Sequence, residues 1–124
     1  MSLQAILLVG TGGALGAVAR YGVGLMVKSA SAFPWATLGV NIGGSLLMGL
    51  VMGWVGRQSG LTEPLRLFLA VGLLGGFTTF SAFSLELVSL LEKRDLLAAF
   101  GYLSGSVLGG VAAFLMAYGL VKAG

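Results

Sequence analysis

The sequence has no cysteine and no histidine, and only 9% of its 124 residues are charged. Without these residues the chain forms no disulfide and offers no thiolate nucleophile, no imidazole base and none of the usual zinc or haem ligands. Four acidic and seven basic side chains are too few for a water-soluble domain, whose surface usually has about a quarter to a third of its residues charged. The cations form no phosphate-binding stripe. A soluble enzyme and a nucleic-acid partner are therefore not expected.

Hydrophobic residues dominate what is present: they make up 57% of the chain, and the mean hydropathy is +1.02. Crossing a bilayer core of about 30 Å takes roughly 20 apolar residues, and several uncharged runs are that long. The sequence predicts an all-α membrane protein with one domain over residues 1–124 and transmembrane helices at 4–27, 35–56, 65–91 and 96–121. No Lys or Arg precedes the first apolar run, which favours a retained helix over a cleaved signal peptide.

The Lys and Arg residues divide almost evenly between the two sides of the membrane that four spans define. One side has Arg57, Arg66 and Lys122, and the other has Lys28, Lys93 and Arg94, with Arg20 lying deeper on that side. Orientation is set by the imbalance of such charges between short loops. The even division predicts dual insertion and an antiparallel homodimer. The alternative is a small bias that gives one orientation.

Glycine is abundant, with 22 residues, and many glycines lie four positions apart. On helices this spacing makes small-residue stripes that let backbones approach closely in lipid. We expect these stripes to serve packing within the bundle and across a dimer rather than ligand binding. The pairs and triplets are Gly12 and Gly16, Gly39 and Gly43, Gly49 and Gly53, Gly72 and Gly76, and Gly101, Gly105 and Gly109.

The third predicted helix contains a candidate break near the bilayer midplane. Gly75 and Gly76 precede Thr78 and Thr79 there, and glycine is weak in helices while threonine hydroxyls compete for backbone groups. Unwound backbone at this depth is tolerated only where protein, water or an ion satisfies it, and broken helices commonly mark ion sites in transporters. The alternative is a continuous helix with a Gly-Gly packing notch.

Three segments resemble the small fluoride channels of the Fluc, or CrcB, family. The run Gly-Gly-Phe-Thr-Thr-Phe-Ser-Ala-Phe at 75–83 is similar to the family signature GGxTTFSTF, and residues 12–21 and 41–49 resemble its helix 1 and helix 2 motifs. The resemblance covers essentially the whole chain. One position departs from the signature, because Ala82 stands where the family usually has threonine.

The resemblance implies a passive channel that exports cytoplasmic fluoride across the plasma membrane and protects the cell from its toxicity. It further implies an antiparallel homodimer with two pores and a structural Na⁺ at its centre, held by backbone carbonyls of Gly75 and Thr78. A vestibule charge falls on Arg20. The implied pore residues are Asn41, Thr79, Phe80, Ser81, Phe83, Tyr102 and Ser106.

Physical chemistry is compatible with these roles but leaves alternatives. Phenyl edges are electropositive and can contact an anion without holding it as tightly as a full positive charge. Asn41, with Ser45 one turn later, can donate to an anion or hydrogen-bond another helix. Glu86 lies off-centre, which disfavours a proton-coupled multidrug exporter with a central carboxylate. A structural or holin-like assembly remains a third alternative.

Overall fold

The computed structural model describes residues 2–27, 33–57 and 60–124, and within them the spans are helical except for one interruption in the third. Lys28 and most of the predicted connection from Ser29 to Pro34 lie outside the described residues. We number the helices α1 (Leu3–Met26), α2 (Trp35–Val55), α3 (residues 63–77), α4 (Phe80–Glu92) and α5 (Leu96–Ala123). Helices α3 and α4 together form the third of four spans that are long and apolar enough to cross a membrane. The four predicted spans are confirmed, with bounds within two residues of those expected.

Side-chain caps fix where three of the helices begin. The Ser2 hydroxyl accepts from the Ala5 N–H at 3.1 Å, and the Asp95 carboxylate accepts from the Ala98 N–H at 3.3 Å. Thr79 does the same for α4, with 3.0 Å between its hydroxyl oxygen and the Ala82 nitrogen. Such caps satisfy N–H groups that have no partner in the first turn of a helix.

Glycines bring the helices into backbone contact in two pairs. A Cβ on Gly12 would lie 2.6 Å from the Phe68 carbonyl oxygen, and one on Gly76 would lie 2.5 Å from that of Gly13, so α1 and α3 pack backbone to backbone. Gly49 and Gly53 pack in the same way against α5. Other stripes behave differently: a Cβ on Gly39, Gly43 or Gly101 would meet nothing within 4 Å. Packing within one protomer therefore explains only part of the glycine pattern.

The third span is broken, as the sequence predicts, but the break falls after the glycines. Gly75 and Gly76 stay helical, and the backbone becomes extended at Thr78 (φ −86°, ψ 156°) and Thr79 (φ −151°, ψ 117°). Before the break, Leu67–Leu74 forms a π-helix, whose hydrogen bonds span five residues; periodicity did not predict it. Gly76 packs against Gly13 of α1, while the threonines interrupt the helix.

Candidate functional site

The broken backbone is held by one side chain of the neighbouring helix α2. The Asn41 Oδ1 accepts from the Thr79 N–H at 2.9 Å, and its Nδ2 donates to the Thr79 carbonyl at 3.1 Å. Both backbone groups of Thr79 are thus satisfied without a helical partner, as the interior of a membrane requires. Asn41 therefore makes the interhelical hydrogen bonds that were one of its two alternatives, and it also lines a cavity.

That cavity, of about 330 Å³, brings together most of the predicted pore residues. We call it the phenylalanine cavity. Within the described part of the chain no charged side chain lines it, so its polar groups are the neutral Asn41 carboxamide and the hydroxyls of serine and threonine. Its principal lining residues are Asn41, Thr78, Thr79, Phe80, Phe83 and Ser106.

Phe80 and Phe83 lie close together but differ in how far each side chain is exposed. Their ring centroids are 5.6 Å apart and their planes are tilted by 41°. Phe80 is 80% exposed, whereas Phe83 is 7% exposed and packs in the core with Leu90, Ala99 and Tyr102. A residue as exposed as Phe80 at the middle of a span needs lipid or another protein surface to cover it.

Tyr102 lies behind the phenylalanine cavity rather than in its wall. It is fully buried, and its ring centroid is 5.1 Å from that of Phe83. Its hydroxyl lies 3.3 Å from Glu86 Oε1, to which it donates, and also hydrogen-bonds the Thr37 side chain. Tyr102 thus joins α2, α4 and α5 and supports Phe83 from behind. Thr37 was not predicted, and nothing in the local sequence distinguishes it from a helix-packing threonine.

Ser81 also stands outside the wall of the phenylalanine cavity. Its hydroxyl lies 3.2 Å from that of Thr79, in the first turn of α4, and the residue is exposed. Its contact with the cavity therefore runs through Thr79.

Arg20 lines a second cavity, of about 310 Å³, which we call the arginine cavity. Its Nε donates to the Gly76 carbonyl at 3.4 Å, close to the break. Thr79 lines both cavities, so the Asn41–Thr79 pair lies at the boundary between them. Ala82 also lines the arginine cavity and not the phenylalanine cavity. The threonine hydroxyl that Ala82 lacks would therefore lie in the cavity of Arg20 rather than in the cavity of Phe80 and Phe83.

The carbonyls of Gly75 and Thr78 are among those that the break leaves without their helical donors. In a continuous helix, Gly75 O would accept from the Thr79 N–H and Thr78 O from the Ala82 N–H. Those N–H groups donate instead to Asn41 Oδ1 and to the Thr79 hydroxyl. Backbone carbonyl oxygens are hard ligands, which bind Na⁺ in preference to soft metal ions. Among the described residues no cluster of acidic side chains could hold a metal, so any cation at the break would depend on the backbone.

Comparison with known proteins identifies the family. The family described as "CrcB-like protein, Camphor Resistance (CrcB)" matches residues 7–119. A protein of Agrobacterium fabrum named "Fluoride-specific ion channel FluC" is 51% identical over 112 residues, covering 88% of this chain and 90% of its own. Proteins with the same name from Hyphomonas neptunium and Rhizobium meliloti are 49% and 48% identical, covering 92% and 82% of this chain and 92% and 83% of their own. The chain is a multi-pass membrane protein that belongs to the CrcB family.

Proposed function

We propose that this protein is a passive, fluoride-selective channel of the plasma membrane. The observation that carries the proposal is the phenylalanine cavity itself, an uncharged cavity in which phenyl rings, hydroxyls and a carboxamide lie beside the break in the third span. The choice of fluoride as the ion is supported by the relatives that are named as fluoride-specific channels. Fluoride that enters as HF from acidic surroundings dissociates at neutral pH, and a passive anion pathway driven by the membrane potential lowers its level.

The neutrality of the cavity supports passage rather than trapping. A permeating ion must exchange part of its hydration shell for protein groups and still leave quickly. The edge of Phe80 and the hydroxyls of Thr79 and Ser106 offer partial positive charge to an anion, whereas a lysine or arginine at the same depth would hold it. Tyr102 and Ser81 act on this pathway through Phe83 and Thr79, the residues they contact.

Arg20 supports anion selectivity from the adjacent arginine cavity. A fixed cation in a cavity with low-dielectric walls raises the local concentration of anions. It is also costly in a membrane, by about 2.5 to 3.5 kcal/mol at a helix centre, unless it faces water or a partner. Its bond to the Gly76 carbonyl and its cavity provide both. We therefore assign Arg20 to a vestibule that leads towards Asn41 and Thr79.

An antiparallel homodimer with two pores completes the proposal. One protomer leaves Phe80 exposed and the phenylalanine cavity open on one side, and the Gly39–Gly43 stripe on α2 meets nothing within 4 Å. A second copy supplies the missing surface. Among the described cations, we place Arg57, Arg66 and Lys122 on one side of the membrane and Lys93, Arg94 and the deeper Arg20 on the other, a division that permits both orientations.

The same symmetry gives the break a place for a structural Na⁺. The twofold axis of an antiparallel pair lies in the membrane plane, so midplane elements meet their own copies. The Gly75 and Thr78 carbonyls of both protomers would hold the ion, which would supply positive charge to backbone groups that have lost their helical donors. Gly75 is exposed in the protomer, as this arrangement requires.

Anion efflux from liposomes tests the function. Purified protein is reconstituted in vesicles loaded with potassium fluoride or potassium chloride, valinomycin is added to carry the compensating K⁺, and each anion is followed with its electrode. We expect rapid fluoride release and negligible chloride release. No fluoride release, even from an Ala82→Thr variant, overturns the channel, and equal chloride release overturns the selectivity. Labelling of a single cysteine introduced at one terminus would overturn the antiparallel dimer if that cysteine reacted from one face of the membrane only.

A further inference from the structure

The hydroxyl of Ser106 has an unusual position for the interior of a membrane protein. Within the described residues, its Oγ is the only buried side-chain nitrogen or oxygen that lacks a hydrogen-bond partner. An unpartnered polar group in an apolar interior costs free energy, and native proteins rarely leave one without a reason. An ion or molecule that binds transiently would supply the hydrogen-bond partner that Ser106 lacks.

A second hydroxyl faces the same space from α2. Ser45 lies one turn after Asn41, and within the part of the chain that the structure describes its hydroxyl makes no hydrogen bond. A Cβ placed on Gly110 of α5 would lie 3.4 Å from Ser45 Oγ. The absence of a side chain at Gly110 therefore keeps the space beside Ser45 open.

These two serines connect the phenylalanine cavity with a third cavity. That cavity, of about 430 Å³, lies between α2 and α5, and its lining includes Gly110 and Phe114. Ser45 and Ser106 line both cavities. Neither cavity is lined by a charged side chain from the described residues, so the two hydroxyls are the main polar groups in the connection.

We propose that Ser45 and Ser106 together form a second contact site for the permeating anion, which we call the serine station. This inference rests on the proposed channel function and adds Ser45 to it. Serine hydroxyls rotate, so both can direct O–H groups at a small hard anion as it leaves the phenylalanines and return to other orientations afterwards. Because the station is neutral, it replaces lost water without holding the ion.

Matched substitutions of Ser45 test the station. Thr keeps the hydroxyl, whereas Val has nearly the same shape without it, so the comparison separates hydrogen bonding from packing. We expect Ser45→Thr to release fluoride within about twofold of the parent rate and Ser45→Val to be slower by about tenfold, the effect of one lost hydrogen bond in the rate-limiting passage. The pair Ser106→Thr and Ser106→Val should behave in the same way.

Ser104→Val is the control, because Ser104 lies on the same helix as Ser106 and outside the lining of both cavities. Fluoride release at the parent rate is expected from it. All variants are compared as monodisperse protein after size-exclusion chromatography. Equal rates for the Thr and Val variants would overturn the station, since the hydroxyls would then serve packing or hold water only. A parent protein that releases no fluoride would overturn the channel function instead, so the two failures are distinguishable.

Discussion

The carboxamide of Asn41 holds the backbone of Thr79 on both sides. Its Oδ1 accepts from the Thr79 N–H at 2.9 Å, and its Nδ2 donates to the Thr79 carbonyl at 3.1 Å. A backbone amide usually finds this pairing in a sheet or a helix; here an α2 side chain supplies it at the point where the third span is interrupted. The break is thus a property of two helices, and its stability can be tested from either one.

Asn41→Ala removes both bonds and leaves two backbone groups without partners. We expect the free energy of unfolding to fall by about 2 kcal/mol, measured by denaturant titration in detergent. Asn41→Asp should be at least as harmful, because it keeps the acceptor but places a second carboxylate oxygen against the Thr79 carbonyl. Thr11→Ala, at an exposed position on α1, is the control and should change little. An Asp variant as stable as the parent would contradict this role of the two Asn41–Thr79 hydrogen bonds.

Gly16 and Gly10 on α1 make a matched pair for backbone packing. A Cβ on Gly16 would overlap the Leu73 carbonyl and lie 2.7 Å from the Phe77 nitrogen, whereas one on Gly10 would meet nothing within 4 Å. We expect Gly16→Ala to destabilise the protein by about 1 to 3 kcal/mol through forced separation of α1 and α3. Gly10→Ala should stabilise it by up to about 1 kcal/mol, because alanine favours the helix. Thermal unfolding in detergent measures both; shifts of the same sign would refute the assignment.

Arg94 turns the chain between α4 and α5 in a left-handed conformation, with φ 56°. Its position lets the Asp95 N–H donate to the Leu90 carbonyl at 3.0 Å and so closes the end of α4. A residue with a Cβ pays roughly 1 to 2 kcal/mol for this conformation, and glycine does not. Arg94→Gly should therefore raise the free energy of unfolding by about 1 kcal/mol. Lys93→Gly removes the same charge at a residue with φ −78° and should give no gain; equal gains from both variants would assign the effect to charge.

Phe80 is almost free of contacts that stabilise the protomer, since 80% of its surface is exposed. Phe80→Leu keeps an apolar side chain but removes the electropositive ring edge. We expect protomer stability to stay within about 0.5 kcal/mol, as for most exposed positions, while fluoride release slows by about tenfold or more. Phe100→Leu, at a residue of α5 that is 70% exposed, should leave release unchanged. Unaltered release from the Phe80 variant would show that the ring edge takes no part.

The spans and their number were predictable from local sequence, because uncharged apolar runs of about 20 residues have few other stable solutions in a bilayer. It also located the break to within a few residues, and its motifs identified the family. These features depend on composition and local order. The glycine stripes also indicated that some helices pack closely against one another. They did not indicate which helix each stripe contacts, and the contact of Gly12 with the third span was not predictable.

Tertiary structure decided how the site is assembled, because its contacts join residues far apart in the chain. Asn41 meets Thr79 across 38 positions, and this contact, rather than Gly75 or Gly76, fixes where the helix unwinds. The fold also placed Ala82 beside Arg20, set Tyr102 behind Phe83, and left Ser45 and Ser106 facing a shared space without partners. Local patterning specifies which face of a helix is polar; only the packing of other helices against that face decides whether a hydroxyl there finds a bond or a cavity.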